Sequence, residues 1–155
     1  HVRGLILVAP ALWGGEAMPA FYEGTLWTLA HTLPFWTLTG SDLKIQATDN
    51  IPLLRKMSAD PLVIKETRID AVYGLVGLIG HGYEATGNLG LPVLMLYGGN
   101  DQVIPRQAFE LSRARLAAGK ARILYFPESY HMMLRDLGGK KPLEAIAQWI
   151  MPGGF

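Results

Sequence analysis

Three short apolar runs constrain the fold of this chain more than any other feature of its sequence. They cover residues 5–9, 93–97 and 123–126. None of them alternates polar with apolar residues, and unbroken apolar runs of this length are typical of strands buried on both faces of a parallel sheet. Turn-forming residues follow each run, at Pro10, at 98–101 and at 127–129. The sequence therefore predicts an α/β fold with three parallel strands.

Helical patterns follow the second and third of these strands. After the second strand, Pro105 suits a first helical position, and an apolar stripe runs on to a stop near Gly119. The stripe consists of Ala108, Phe109, Leu111 and Leu116. After the third strand, a C-terminal helix is predicted, and its apolar face would cover the sheet. That face consists of Leu143, Ile146, Ala147 and Ile150.

The connection between the first and second strands is too long for a simple crossover. More than eighty residues separate Ala9 from Val93, whereas a parallel crossover needs only about a dozen. One helix face is predicted within 26–33, and a second helix is predicted to begin at Asp60, as N-cap, before Pro61. The second helix would bury Ile69, Val72, Tyr73, Val76 and Ile79. We therefore divide the chain into an entering strand (1–14), an inserted helical cap (15–90) and the C-terminal part of an α/β core (91–155).

The first third of the predicted cap region is rich in aromatic side chains. Five of them are candidates to line a pocket: Trp13, Phe21, Trp27, Phe35 and Trp36. For any one of them, burial in an ordinary core is the simpler interpretation. Together they favour an apolar pocket, because ligand pockets are lined mainly by apolar and aromatic groups.

The charge and composition of the chain argue against several classes of function. Lys and Arg number 14 against 13 Asp and Glu, and only 17% of the residues are charged. Without a basic run, the sequence gives no support to a nucleic-acid partner. Cysteine is absent, and the four histidines lack metal-ligand spacing, so no metal site is predicted. The sequence contains neither of the glycine-rich motifs that bind nucleotide phosphates, G-x-G-x-x-G and G-x-x-x-x-G-K-[ST], and we expect no cofactor.

Two polar residues follow neighbouring strands of the predicted sheet. Asp101 comes after the second strand and His131 after the third. Ligands of open parallel sheets bind at the carboxyl ends of the strands, so adjacent strand ends would bring these side chains together. A carboxylate beside an imidazole is the acid and base half of a catalytic triad. Asp101 could equally organise the turn or cap the next helix, and His131 could be an ordinary hydrogen-bonded loop residue.

Five stretches of the sequence resemble one group of α/β-hydrolases. They are GLILVAPALWG (4–14), LWTLAHTLPFWTLTG (26–40), DNIPLLRKMSADPLVIKETRIDAVYGLVGL (49–78), LPVLMLYGGNDQVIP (91–105) and YHMMLRDLG (130–138). On these stretches the chain resembles the C-terminal half of a monoacylglycerol lipase or lysophospholipase of the serine aminopeptidase S33-like family. The resemblance implies that Asp101 is the acid and His131 the base of a Ser-Asp-His triad.

The chain departs from the family pattern at the nucleophile. A G-x-S-x-G elbow does not occur, and none of the four serines, Ser41, Ser58, Ser112 and Ser129, lies on a predicted strand-to-helix turn. In the family the elbow precedes the strand that 5–9 resembles, so the nucleophile and the oxyanion-hole donors are expected upstream of His1. We therefore expect the N-terminal half of the sheet to lie outside this chain, and the chain alone to be inactive.

The function implied by the resemblance is hydrolysis of a lipid-like monoester by the intact enzyme. The cap aromatics would receive the acyl chain, and the missing N-terminal half or a second copy would cover the strand at 5–9. We expect a location in the cytoplasm or at the inner membrane, with peripheral membrane contact through the cap. Esterase, thioesterase, peptidase and haloperoxidase-like activities stay open, as do a non-catalytic binding module and a split protein whose partner chain completes the sheet.

Overall fold

The sheet predicted from the three apolar runs is present in a computed structural model of the chain, which describes residues 1–13, 19–40, 44–117 and 121–151. The elements of these ranges are β1 (Leu5–Val8), α1 (Ala20–Thr32), β2 (Thr37–Thr39), α2 (Ile51–Ala59), β3 (Glu66–Arg68), α3 (Ile69–Thr86), β4 (Val93–Gly98), α4 (Arg106–Ala117), β5 (Ala121–Phe126) and α5 (Lys140–Ile150). Strands β1, β4 and β5 form one parallel sheet with β4 in the middle, which confirms the predicted strands. Strands β2 and β3 pair in a separate antiparallel ribbon.

The middle strand β4 is buried along its whole length, as its unbroken apolar sequence requires. Its successive side chains point to opposite faces of the sheet and enter two different core clusters. Val93 and Met95 pack with side chains of α4, and Leu94 and Leu96 pack with Trp149 of α5. The two helices therefore cover opposite faces of the sheet.

Helix α5 covers the sheet with a face that only partly matches the predicted one, in which Ile146 packs on the core cluster as expected. Pro142 and Trp149 are buried, whereas Leu143 and Ile150 are 48% and 57% exposed. Trp149 fixes the rotation of the helix because its ring packs on Gly4, where an added Cβ would lie 2.6 Å from Cη2. The prediction was wrong for Leu143 and Ile150 because it followed the aliphatic stripe and left out the largest apolar side chain of the helix, whose burial contributes most.

Between β1 and β4 the described residues form three helices and the β2–β3 ribbon. Helix α1 packs on α3, with Ala30 buried and Leu26 and Leu29 half-buried on the predicted face. No helix in the described ranges is long and apolar enough to cross a membrane. The division of the chain at residues 14 and 90 stays a prediction, and residues 14–18 lie outside the described ranges.

The helix predicted to begin at Asp60 begins instead at Ile69. Asp60 follows the end of α2, where its carboxylate accepts the amide of Leu62 at 2.9 Å. The prediction was wrong because an Asp-Pro pair suits a turn that leaves one helix as well as a cap that starts the next. The missed helix α2 has its own start signal, since the side chain of Asn50 accepts the amide of Leu53 at 3.2 Å.

Candidate active site

Asp101 lies in the turn that follows β4, and one of its carboxylate oxygens organises that turn. Oδ1 accepts the amides of Val103 and Ile104 at 2.8 and 2.9 Å. The backbone amide of Asp101 donates to the carbonyl of Gly98 at 3.2 Å. A carboxylate that accepts amides a few residues further along the chain stabilises a turn, so the turn-forming role considered for Asp101 is present.

The second carboxylate oxygen of Asp101 faces His131. Oδ2 lies 3.0 Å from Nδ1 of the imidazole, which is a hydrogen-bond distance. An ionised carboxylate can only accept, so Nδ1–H donates and this nitrogen carries the proton. The Asp101 side chain is fully buried, and that of His131 is 29% exposed. The turn role and the histidine contact are compatible because each uses a different oxygen.

Two adjacent strand ends bring these residues together. Strands β4 and β5 are parallel neighbours, and their last paired residues are Gly98 and Phe126. The two loops beyond them touch because glycine leaves room for the opposite backbone. An added Cβ would lie 2.4 Å from Ser129 O at Gly98, and 2.3 Å from Pro127 O at Gly99. Side-chain carbons do not approach backbone that closely, so both positions require glycine.

The phenol of Tyr97 supports the Asp101 turn, and the sequence pattern did not predict this role. Tyr97 is 2% exposed, and its hydroxyl donates to the carbonyl of Ile104 at 2.8 Å. Burial, and then the negative charge of Asp101, raise the pKa of Tyr97 above its ordinary value. The hydroxyl therefore stays protonated and continues to donate. The sequence feature that could have indicated this role is a tyrosine, with its polar hydroxyl, at the end of an apolar run and directly before Gly98.

The other ring nitrogen of His131 is the chemically available one. Within the described ranges Nε2 has no hydrogen-bond partner, and no serine hydroxyl among Ser58, Ser112 and Ser129 bonds to the ring. Ser41 lies outside those ranges. The same ranges contain no group of three His, Asp or Glu residues that could hold a metal ion. An imidazole with Nδ1 held by a carboxylate and Nε2 open can accept a proton from a hydroxyl brought to it.

The five candidate pocket aromatics lie in different places. Trp13 and Trp27 line a groove of about 920 Å³ between α1 and α3. Phe21 of α1 is 77% exposed, and Phe35 and Trp36, beyond the end of that helix, are 73% and 60% exposed. The structure therefore brings Trp13 and Trp27 together and leaves the other three outside this groove. Substrate binding by any of the five stays a prediction.

Comparison with known proteins agrees with this architecture. A sequence profile of the family described as serine aminopeptidase, S33 matches residues 1–138. The structure of a monoacylglycerol lipase from Paleococcus ferrophilus is similar, with a TM-score of 0.78 and 23% sequence identity. A soluble variant of monoglyceride lipase from Saccharomyces cerevisiae, in complex with a substrate analog, has a TM-score of 0.68 and 15% identity. No curated protein matches the chain.

The similarity extends over nearly all of this chain but only part of the two lipases. It covers 96% and 93% of the chain, against 58% and 54% of the Paleococcus and Saccharomyces proteins. The chain thus spans a little over half of their length. At these identities the likeness shows the fold alone, and it confirms the predicted class, a partial α/β-hydrolase fold. On the match over residues 1–138, the chain belongs to the serine aminopeptidase S33 family of α/β-hydrolases.

Proposed function

We propose that this chain supplies the acid and the base of a serine ester hydrolase that acts on a monoacylglycerol-like lipid. The nucleophile would come from a segment outside the chain. The observation that carries the proposal is the buried carboxylate of Asp101, 3.0 Å from Nδ1 of His131, with Nε2 unpartnered among the described residues. Membership of a serine hydrolase family and two lipase neighbours support the reaction class and the substrate class.

The proposed reaction uses the two ring nitrogens of His131 differently. Nε2 takes the proton of the serine hydroxyl as the serine oxygen bonds to the ester carbonyl carbon. The same proton then passes to the leaving alcohol as the ester bond breaks, which leaves an acyl-serine. Water, deprotonated by Nε2, releases the fatty acid and restores the serine. Through both steps Asp101 holds Nδ1–H and stabilises the imidazolium that forms.

The groove between α1 and α3 supports a long acyl chain as the substrate group. Three glycines of α3 and one of α1 line it, and an added Cβ on any of them would meet open space within 4 Å. These glycines are Gly24, Gly74, Gly77 and Gly80. Apart from Glu23, His81 and Glu84, the lining is glycine, aromatic and aliphatic. A wide, mainly apolar groove suits a flexible hydrocarbon chain.

A second cavity borders this groove and reaches the residue that precedes α4. It has a volume of about 400 Å³, shares Trp13, Leu26 and Val76 with the groove, and reaches Pro105. Pro105 lies four residues after Asp101. We propose that an acyl chain in the groove extends its ester end through this cavity toward Asp101 and His131.

The open edge of β1 is the proposed place for the segment that carries the nucleophile. In the described ranges β1 pairs only with β4, and its residues are half-buried. The amides of Leu5 and Ala9 donate to carbonyls on the β4 side, so by alternation those of Ile6 and Val8 point to the open edge. Unpaired strand edges attract another strand. We expect slow hydrogen exchange at Ile6 and Val8 in the longer protein and fast exchange in this chain alone; fast exchange in both would contradict the pairing.

The function is tested on the protein encoded by the complete reading frame that contains this chain. It is offered a monoacylglycerol, a lysophospholipid, a thioester and an aminoacyl amide, and release of each product is followed. We expect the monoacylglycerol to give the highest kcat/KM. Asp101→Asn should lower kcat by about 10⁴-fold, because the amide no longer holds the Nδ1-protonated tautomer.

Asp60→Asn is the matched control for Asp101→Asn. Asp60 also accepts an amide two residues further on, that of Leu62, as Asp101 accepts that of Val103. The two substitutions therefore disturb similar turns, but only one removes a carboxylate from His131. Equal activity of the two variants would contradict the proposed pair. A folded wild-type protein that hydrolyses none of the esters would contradict the proposed function.

A further inference from the structure

The segment that leads into α2 is hydrogen-bonded to the loop that carries His131. We call residues 46–50 the clasp segment. Its bonds to the histidine loop run from Met132 N to Ala47 O (2.8 Å), from Thr48 Oγ1 to Asp136 Oδ1 (2.5 Å), from Asn50 Nδ2 to Arg135 O (3.1 Å) and from Leu137 N to Asp49 Oδ1 (2.8 Å). The amide of Gln46 also donates to the side chain of Gln102, next to Asp101, at 3.0 Å. One segment therefore contacts both candidate catalytic loops.

Asp136 is the buried centre of this contact. It is 8% exposed, and Thr48 is fully buried. Oδ1 of Asp136 accepts the Thr48 hydroxyl, and Oδ2 accepts the amide of Tyr130 at 2.8 Å. Among the described residues, no cation forms an ion pair with this carboxylate. Burying a carboxylate costs free energy that hydrogen bonds must offset. Loss of the Thr48 hydroxyl should therefore also weaken the bond between Asp136 and the Tyr130 amide.

Two backbone amides close to His131, one before it in sequence and one after it, are held by these contacts. The amide of Tyr130 donates to Asp136, and the amide of Met132 donates to Ala47 of the clasp segment. The Met132 amide belongs to the peptide group directly after His131, and the Tyr130 amide belongs to the peptide group one residue before it, so these bonds restrict the backbone on both sides of His131. The restricted backbone limits the directions from which the imidazole can approach the Asp101 carboxylate.

We propose that Asp136, buried against Thr48, is a positioning residue that orients the His131 imidazole toward Asp101. Asp136 touches neither the imidazole nor a substrate, and it acts through the backbone of Tyr130. Thr48 supports this role because its hydroxyl donates to Oδ1, the other carboxylate oxygen of Asp136. The proposal rests on the proposed function for its effect on catalysis, but its effect on His131 is a property of this chain.

The first test measures His131 directly in the 155-residue chain. Imidazole ¹⁵N shifts report the tautomer, and a low-field proton signal reports the Nδ1–H bond to Asp101. We expect Thr48→Val and Asp136→Ala to abolish the low-field signal and to shift the ring toward a mixture of tautomers. Thr48→Ser, which keeps the hydroxyl, should restore both.

Ser112→Ala is the control for simple loss of a buried hydroxyl. Ser112 is fully buried, and its hydroxyl donates to Leu12 O on the other side of the sheet from α5. Its loss should lower the melting temperature and leave the His131 signals unchanged. If Thr48→Val behaves like Ser112→Ala, Asp136 is only structural and the proposal is overturned. Thr48→Val and Thr48→Ser decide this result even if Asp136→Ala does not fold.

The second test measures ester hydrolysis in the longer protein. Misplacement of a catalytic group by about 1 Å costs about 100-fold in rate, so Thr48→Val should lower kcat by about 10- to 100-fold. KM should stay unchanged, and Thr48→Ser should recover kcat. An unchanged kcat in Thr48→Val would overturn the proposal. A wild-type protein without esterase activity would refute the proposed function instead, and the ring signals of His131 would still decide the role of Asp136.

Discussion

Replacing Gly98 by Ala should separate Asp101 from His131 while changing a single methyl group. The added Cβ would lie 2.4 Å from Ser129 O and 2.6 Å from Tyr130 O, whereas ordinary contact begins at 3.4 Å. The two loops would therefore have to move apart by about 1 Å. The obstacle is backbone, so no side chain can swing aside to make room. A hydrogen bond of 3.0 Å between Oδ2 and Nδ1 would lengthen to a distance at which it contributes little.

The expected size of the effect follows from these distances. Overpacking of this kind costs about 1–3 kcal/mol of the free energy of unfolding. A displacement of about 1 Å between acid and base should lower kcat in the longer protein by about 100-fold. Urea unfolding of the chain measures the first effect, and the low-field Nδ1–H signal of His131 reports the separation directly.

Gly138→Ala is the control for the substitution itself. Gly138 lies in the same histidine loop region, and an added Cβ there meets no atom within 4 Å. We expect its unfolding free energy to stay within about 0.5 kcal/mol of the wild type, as for ordinary surface changes. The reasoning is refuted if Gly98→Ala matches Gly138→Ala in stability and keeps the low-field signal.

Three further predictions concern other parts of the structure. Tyr97→Phe should lower the free energy of unfolding by about 1 kcal/mol at pH 8 through the lost bond to Ile104. Because the pKa of Tyr97 is raised in the folded chain, its contribution is full below the ordinary value of 10 and is lost as pH rises through the raised pKa, so the difference between the urea midpoints of the two proteins should shrink as pH rises above 10. Gly77→Leu should keep or raise the melting temperature, since leucine favours a helix more than glycine, but lower activity on long more than on short acyl esters. Arg68→Ala should raise the pKa of Asp70, measured by NMR titration, because the Arg68 hydrogen bond holds it low.

The sequence predicts the sheet and the Asp101–His131 contact because both depend on local patterns. Unbroken apolar runs indicate buried parallel strands, and a polar residue after each of two neighbouring strands must lie at one edge of the sheet. Gly98 and Gly99 belong to the same local signal, although only the structure shows which backbone they approach. The catalytic role of the pair stays a prediction.

Other features could not be predicted because they depend on distant partners. Thr48 and Asp136 are 88 residues apart, and no sequence pattern around either residue predicts the hydrogen bond between them. The exposed β2–β3 ribbon carries no apolar alternation, so nothing marks it as a strand pair. The face of α5 depends on Trp149 finding room at Gly4, which lies near the other end of the chain.

The central claim is that Asp101 and His131 activate a serine that this chain does not contain. Fluorophosphonate labelling with peptide mapping, on the longer protein and on the 155-residue chain in parallel, tests it most directly. We expect label on a serine of a G-x-S-x-G sequence in the longer protein, labelling slowed about 1000-fold or more by His131→Gln, and an unlabelled 155-residue chain. Label on one of the chain's own serines, or labelling that His131→Gln leaves unchanged, would contradict it.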